Sequence, residues 1–130
     1  MAFPTTYYKE YINGSCKRIG QDYTGLIEYK FNEQGFRCDL DYQEQEQNAI
    51  CFFGSAITTG VGHQWHYAYP KKSLENTNLK AYNFAQGCMG VDNSTILEHV
   101  ELVKNMENFK PLCYVVQFIG LERVFDKKNL

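Results

Sequence analysis

Residues 49–53, Ala-Ile-Cys-Phe-Phe, form an unbroken apolar run that gives way at once to small and polar residues from Gly54 to Gly62. A run of that length and bulk predicts an inner strand of a parallel sheet, covered on both faces. Two later runs repeat the pattern, Lys80–Ala85 and Leu112–Ile119, and predict the second and third strands. The segments between them read as helices. The first starts at Pro70, because proline suits a first helical turn, and ends near Asn76-Thr77-Asn78. The second is capped by Asp92, Asn93 or Ser94, carries Glu98 towards its amino end, and repeats Ile96, Val100, Val103 and Met106 at helical spacing. Pro111 keeps that helix from running into the third strand.

Strand, helix, strand, helix, strand with right-handed crossovers predicts a small doubly wound α/β sheet. Its carboxyl edge gathers three loops, 54–62, 86–93 and 120–123. That is the edge at which open α/β folds carry their chemistry.

The first forty-eight residues follow a different pattern. Ile27, Tyr29 and Phe31 alternate with Glu28 and Lys30, the period-two signature of a half-exposed strand over Leu26–Phe31. Asn13-Gly14 predicts a hairpin turn between Tyr8–Ile12 and Ser15–Ile19, and Asn32-Glu33-Gln34-Gly35 predicts another turn. The polar stretch 43–48 separates this part from the rest. The expected organisation is therefore one structural domain, with a β-rich amino-terminal extension (1–48) packed on an α/β core (49–130).

Composition narrows the function classes. With 130 residues, 44% of them apolar and 22% charged, the chain suits one ordinary globular domain. A net charge of -2 without a basic block offers no electrostatic track for nucleic acid. The nine Phe and ten Tyr read as core-filling residues before they read as a stacking surface. Five widely spaced cysteines without a CxxC pair fit a reducing compartment, and Cys51 and Cys113 stand inside apolar runs as small hydrophobes. No secretion signal stands at the start and no apolar run approaches the ~20 residues that span a bilayer. The expectation is a cytoplasmic protein without membrane or nucleic-acid partners. Asn13-Gly14-Ser15 and Asn93-Ser94-Thr95 then read as turn and cap residues instead of glycan sites.

Three chemistries can be weighed at the carboxyl edge. Gly54, Gly60 and Gly62 match neither a dinucleotide fingerprint nor a phosphate-binding loop. His63 and His66, with Asp92 brought in by the fold, lack a third ligand at a diagnostic spacing and read as surface histidines. Neither a cofactor nor a metal is expected. The third chemistry rests on a set of motifs: Asn32-Glu33-Gln34-Gly35-Phe36-Arg37, Gly54-Ser55-Ala56-Ile57-Thr58-Thr59-Gly60, Tyr69-Pro70, Asn83-Phe84-Ala85-Gln86-Gly87, and Lys110-Pro111 with Gln117–Arg123. In order and spacing these blocks resemble those of the SGNH/GDSL hydrolases, phage and bacterial members above all.

The resemblance covers about residues 27–123 and implies a flavodoxin-like, three-layer sheet and an ester-hydrolase ancestry. It also implies that ordinary activity is absent. Ala56 holds the position of the nucleophilic serine, with Ser55 where the family has aspartate. A methyl group cannot attack a carbonyl. The family's oxyanion glycine maps to Gly87 or Gly90, the Ala56 backbone N–H is a further donor, and Gly54 joins them as an oxyanion or binding residue, while Glu122 or Leu121 stands where the family's oxyanion asparagine belongs. The family's Asp and His block would lie beyond Leu130, and His99, on the second helix, does not replace it. Ser55 and Thr58 are the candidate substitute nucleophiles. Glu122 and Arg123 are candidates for holding a carboxylate or sugar hydroxyl, or else a surface pair. Two readings stand: a silent hydrolase-like domain binding an acyl or sugar ligand, a protein partner or a second copy; and an active acyl or acetyl esterase with a displaced nucleophile or an altered position 56. Exposed sheet edges make an interaction module a further option.

Overall fold

The computed structural model describes residues 15–19, 26–41, 46–86 and 92–120. They form two sheets. β1 (Ser15–Ile19) and β2 (Leu26–Lys30) pair antiparallel, with Ser15 opposite Lys30 and Ile19 opposite Leu26. The Tyr8–Ile12 arm of the expected hairpin and its Asn13-Gly14 turn lie outside the described residues. β3 (Ala49–Phe53), β4 (Lys80–Asn83) and β5 (Cys113–Val116) make a three-stranded parallel sheet in the order β4-β3-β5. Phe52 stands level with Asn83 on one side and Val115 on the other. The fold is α/β, as the strand-helix alternation predicts.

Side-chain alternation along β3 feeds both faces. Ala49, Cys51 and Phe53 join Phe84, Ile96, Val103, Met106 and Phe109 in the larger cluster, so one face is covered by α3 (Asn93–Lys104). Ile50 and Phe52 join Ala81 in a smaller cluster against Tyr69, Leu74 and Val115. That face is covered by α2 (Tyr69–Ser73), which carries Pro70 in its first turn. α2 is shorter than the sequence predicts. Past Ser73 the chain continues in turns, with Thr77 N–H donating to Leu74 O at 3.1 Å, until Asn76 takes the left-handed conformation at φ 65°. Of the three capping candidates for α3, Asp92 does the work: its carboxylate accepts from the Thr95 N–H at 2.9 Å and the Thr95 hydroxyl at 3.1 Å. Asn93 instead clasps the chain leaving β5, donating to Ile119 O at 3.2 Å and accepting from Ile119 N–H at 2.9 Å.

β5 departs from its sequence reading. Its run of apolar residues suggests burial, yet Leu112 and Phe118 beside it are more than half exposed, and Cys113 is exposed too. The reason is position: among the described residues β5 pairs only with β3 and forms an edge of the sheet. Cys38 and Cys51 are buried, and burial pushes the Cys38 thiol up to about 11. Cys16 and Cys88 lie outside the residues whose side chains are described.

The amino-terminal part is tied to this core by polar contacts as much as by packing. Ile27, Tyr29 and Phe31 are buried, as their alternation predicts. Asn32 organises the following turn, accepting from the Gln34 and Phe36 N–H groups at 3.1 and 3.0 Å, with Gly35 at φ 86°. Phe36 enters the larger cluster, edge-on to Phe84 and to the His99 ring. Asn83 at the end of β4 donates to Arg37 O at 2.8 Å and accepts from Ala85 N–H at 2.9 Å.

His99 carries a pH signature. Its Nδ1 lies 3.1 Å from Phe84 O, and because a carbonyl only accepts, that nitrogen holds the proton in the neutral ring. Burial holds the imidazole below its ordinary 6.5, partly offset by the Phe84 carbonyl. An unfolded His99 therefore protonates first as pH falls. The contribution is complete above about pH 6.5 and is lost as pH drops towards the folded value. Urea midpoints measured from about pH 7 down to about pH 5 should fall in the natural chain, and fall less steeply in His99→Gln. An identical slope in both would remove this role.

Candidate functional site

The carboxyl end of β3 runs into Gly54 and Ser55 and then into one helical turn, α1 (Ala56–Thr59). The small-residue stretch read from sequence as a loop therefore begins with a helical turn, closed by Gly60 in the left-handed conformation at φ 74°. Ala56 is the first residue of α1. Ser55 stands at the amino-cap position, but its side chain makes no cap bond. Its hydroxyl instead donates to Gln117 Oε1 at 3.1 Å, and its own N–H donates to the same oxygen at 3.1 Å.

Gln117 is the organising residue. It follows β5, and its backbone N–H continues the parallel ladder to Phe53 O at 2.9 Å. Its side-chain amide thereby crosses the gap between the ends of β3 and β5. There its oxygen also accepts from Thr58 Oγ1 at 3.2 Å, while Nε2 donates to Phe118 O at 2.9 Å. Thr58, fully buried, shares a 2.8 Å hydrogen bond with the Tyr69 hydroxyl at the start of α2. Burial raises the Tyr69 phenol above its ordinary value, so it stays protonated at neutral pH.

Ser55, Thr58, Tyr69 and Gln117 thus make a connected hydrogen-bond network at the carboxyl edge of the central strand. Its members are hydroxyls and an amide. None of these groups accepts a proton at neutral pH, so neither hydroxyl meets a general base within the network. His99 is engaged with Phe84 O on the α3 side, and His63 and His66 are exposed on the chain between α1 and α2. Among the described residues no group of three His, Cys, Asp or Glu side chains could hold a metal ion.

Gly54 is essential to the geometry. A methyl group there would collide with Thr58 Oγ1 and come within 2.7 Å of Gln117 Oε1. Beside it, Gln86 donates its backbone N–H to Gly54 O at 3.3 Å, and its buried Nε2 finds no acceptor among the described residues.

Behind the network stands Arg37. It is almost wholly buried, and its guanidinium lies 4.2 Å from the Tyr29 ring centroid. Nη1 donates to Thr59 O at 3.1 Å and Gly60 O at 2.7 Å, and Nη2 donates to His63 O at 2.9 Å. A cation at the carboxyl end of α1 meets the carbonyls that the helix leaves without partners. The Tyr29 hydroxyl completes the hold by accepting from Gly62 N–H at 2.8 Å.

Of the site residues expected from sequence, Gly54, Ser55, Ala56 and Thr58 come together here. Gly87, Gly90, Glu122 and Arg123 lie outside the described residues. Gln117 and Tyr69 belong to the sequence blocks named above, but nothing in those blocks marks them as site residues. The signal that finds them is topological: each begins or ends an element beside the carboxyl end of β3. Comparison of the chain with protein-family models, curated proteins and solved structures gave no match.

Proposed function

We propose that this is an SGNH/GDSL-hydrolase-like domain of flavodoxin-like topology that does not carry out ordinary ester hydrolysis and acts by binding a small acyl or sugar ligand or a partner. One observation carries the reading: Ala56 opens the helical turn after the central strand, and the hydroxyls on either side of it are engaged with an amide. Ser55 and Thr58 are both buried and both donate to Gln117 Oε1. A hydroxyl becomes a competent nucleophile when an adjacent base removes its proton, and here each faces an amide oxygen. The strand order β4-β3-β5 supports the topology, since a flavodoxin-like sheet places its first strand between the second and the third. The hold of Arg37 on α1 supports a function for the Gly-Phe-Arg segment as the scaffold's brace.

The expected result is that the chain turns over p-nitrophenyl acetate no faster than buffer. Loss of the nucleophile alone removes about six decades of rate in triad enzymes. Turnover by the unaltered chain that Ser55→Ala abolishes would establish a displaced nucleophile and overturn the reading.

A further inference from the structure

A second site, lined by none of the Ser55–Gln117 network, opens where β2 faces the start of α2. Its walls are Glu28 and Lys30 of β2, Asp39, Trp65 and His66 of the 3-10 turn Trp65–Tyr67, and Lys71 of α2, around a cleft of about 320 Å³. A neighbouring cleft of about 300 Å³ shares His66 and Lys71 and continues along Leu74, Thr77 and Ala81. Each volume falls within the range of small-molecule sites, and the shared residues make the two clefts neighbours.

The chemistry of the walls selects a ligand class. Charges are present but paired: Lys71 Nζ lies 2.7 Å from Asp39 Oδ2, and Lys30 Nζ lies 3.5 Å from Glu28 Oε1. The two pairs cancel, and the one further cation in the wall, Arg37, is turned onto the Thr59, Gly60 and His63 carbonyls, so little field is left to draw in a phosphate or a carboxylate. Each carboxylate still has lone pairs to offer and each ammonium further N–H groups. Hydroxyls, which donate and accept at once, are the groups such paired walls recognise best.

Trp65 supplies the other half of the recognition. It is the chain's one tryptophan and is half-buried. Its indole is oriented from two sides: Nε1 donates to Asp39 Oδ1 at 3.4 Å, and the Arg37 guanidinium lies 5.6 Å from its ring centroid. A fixed, partly exposed aromatic plane beside donors and acceptors matches a pyranose ring, which has an apolar C–H face and a rim of hydroxyls. A nucleobase would also stack, but its phosphates would find no unpaired cationic cluster.

We propose that this double cleft binds an uncharged oligosaccharide, one sugar unit against Trp65 and the next beyond Lys71 and His66. The proposal is independent of how the Ser55–Gln117 network is read, and either can fail without the other.

Trp65 makes the test site-specific, since it is the chain's sole tryptophan fluorophore. The full chain is titrated with a panel of neutral α- and β-linked disaccharides of hexoses, pentoses and N-acetylhexosamines, with galacturonate dimers and AMP as charged comparators. At least one neutral disaccharide should shift Trp65 emission saturably and more tightly than either comparator. Asp39→Ala and Lys71→Ala, which alter a partly exposed pair and leave circular dichroism unchanged, should each weaken that binding about ten-fold. No saturable shift with any neutral sugar, tighter binding of a charged comparator, or undiminished binding in both variants would overturn the proposal.

Discussion

Arg37→Met is expected to destabilise the fold by about 3 kcal/mol or more. Methionine fills much of the same volume, so the loss reports on the guanidinium and not on a cavity. Three carbonyls, Thr59 O, Gly60 O and His63 O, accept from that group, and of these Gly60 O also accepts from the His63 N–H at 3.1 Å. A buried acceptor stripped of its donor costs about 1–3 kcal/mol, less where the chain can relax towards water. Contact with Tyr29 is lost as well, a desolvated cation–π pair worth up to about 2 kcal/mol. Against a total stability of about 5–15 kcal/mol, the variant should unfold at a sharply lower urea midpoint. Arg37→Lys should recover only part of the loss, because one ammonium cannot span three carbonyls from a planar fork. A midpoint within error of the natural chain would mean that α1 holds its place without Arg37.

Gly54→Ala should cost about 2 kcal/mol, because the added methyl group has no room beside Thr58 and Gln117. Gln117 can swing away, since its amide is the far end of a flexible side chain. Thr58 is branched, fully buried and fixed in α1, so the strain falls there. The double variant Gly54→Ala with Thr58→Ala removes the colliding hydroxyl. Its loss should therefore be smaller than the sum of the single losses, a coupling that denaturant unfolding resolves for residues in contact. Additive losses, or a Gly54→Ala variant as stable as the natural chain, would show that this turn is looser than the structure implies.

The parts of the fold visible in the sequence were those governed by neighbours a few residues apart. Burial on both faces makes Ala49–Phe53 continuously apolar, and burial on one face makes Ile27, Tyr29 and Phe31 alternate with Glu28 and Lys30. Asp92 and Pro70 mark helix starts through backbone geometry that depends on adjacent residues alone. The second and third apolar runs are longer than the strands Lys80–Asn83 and Cys113–Val116, and the reason is visible. Phe84 and Gln117 still donate to Phe52 O and Phe53 O, so the ladder outlasts the regular strands.

What escaped the sequence depends on distant partners. An apolar run does not say whether a strand has one neighbour or two, so the exposure of Cys113 and Leu112 could not be foreseen. Arg37 reads as a motif residue with no sign of burial, because the carbonyls that satisfy it lie 22 to 26 residues away. Ser55 and Thr58 read as open loop hydroxyls until Gln117, 62 and 59 positions further on, closes over them. That closure places both hydroxyls in a hydrogen-bond network around one amide oxygen.

Whether those hydroxyls are engaged or poised is answered most directly by treating the folded chain with an excess of a fluorophosphonate and weighing the intact protein. An activated serine or threonine displaces fluoride and keeps the phosphonyl group, whereas a hydroxyl held against an amide oxygen does not. The folded chain is expected to run as a single species at the unlabelled mass. A stoichiometric adduct on Ser55 or Thr58, absent from the matching alanine variant, would contradict it.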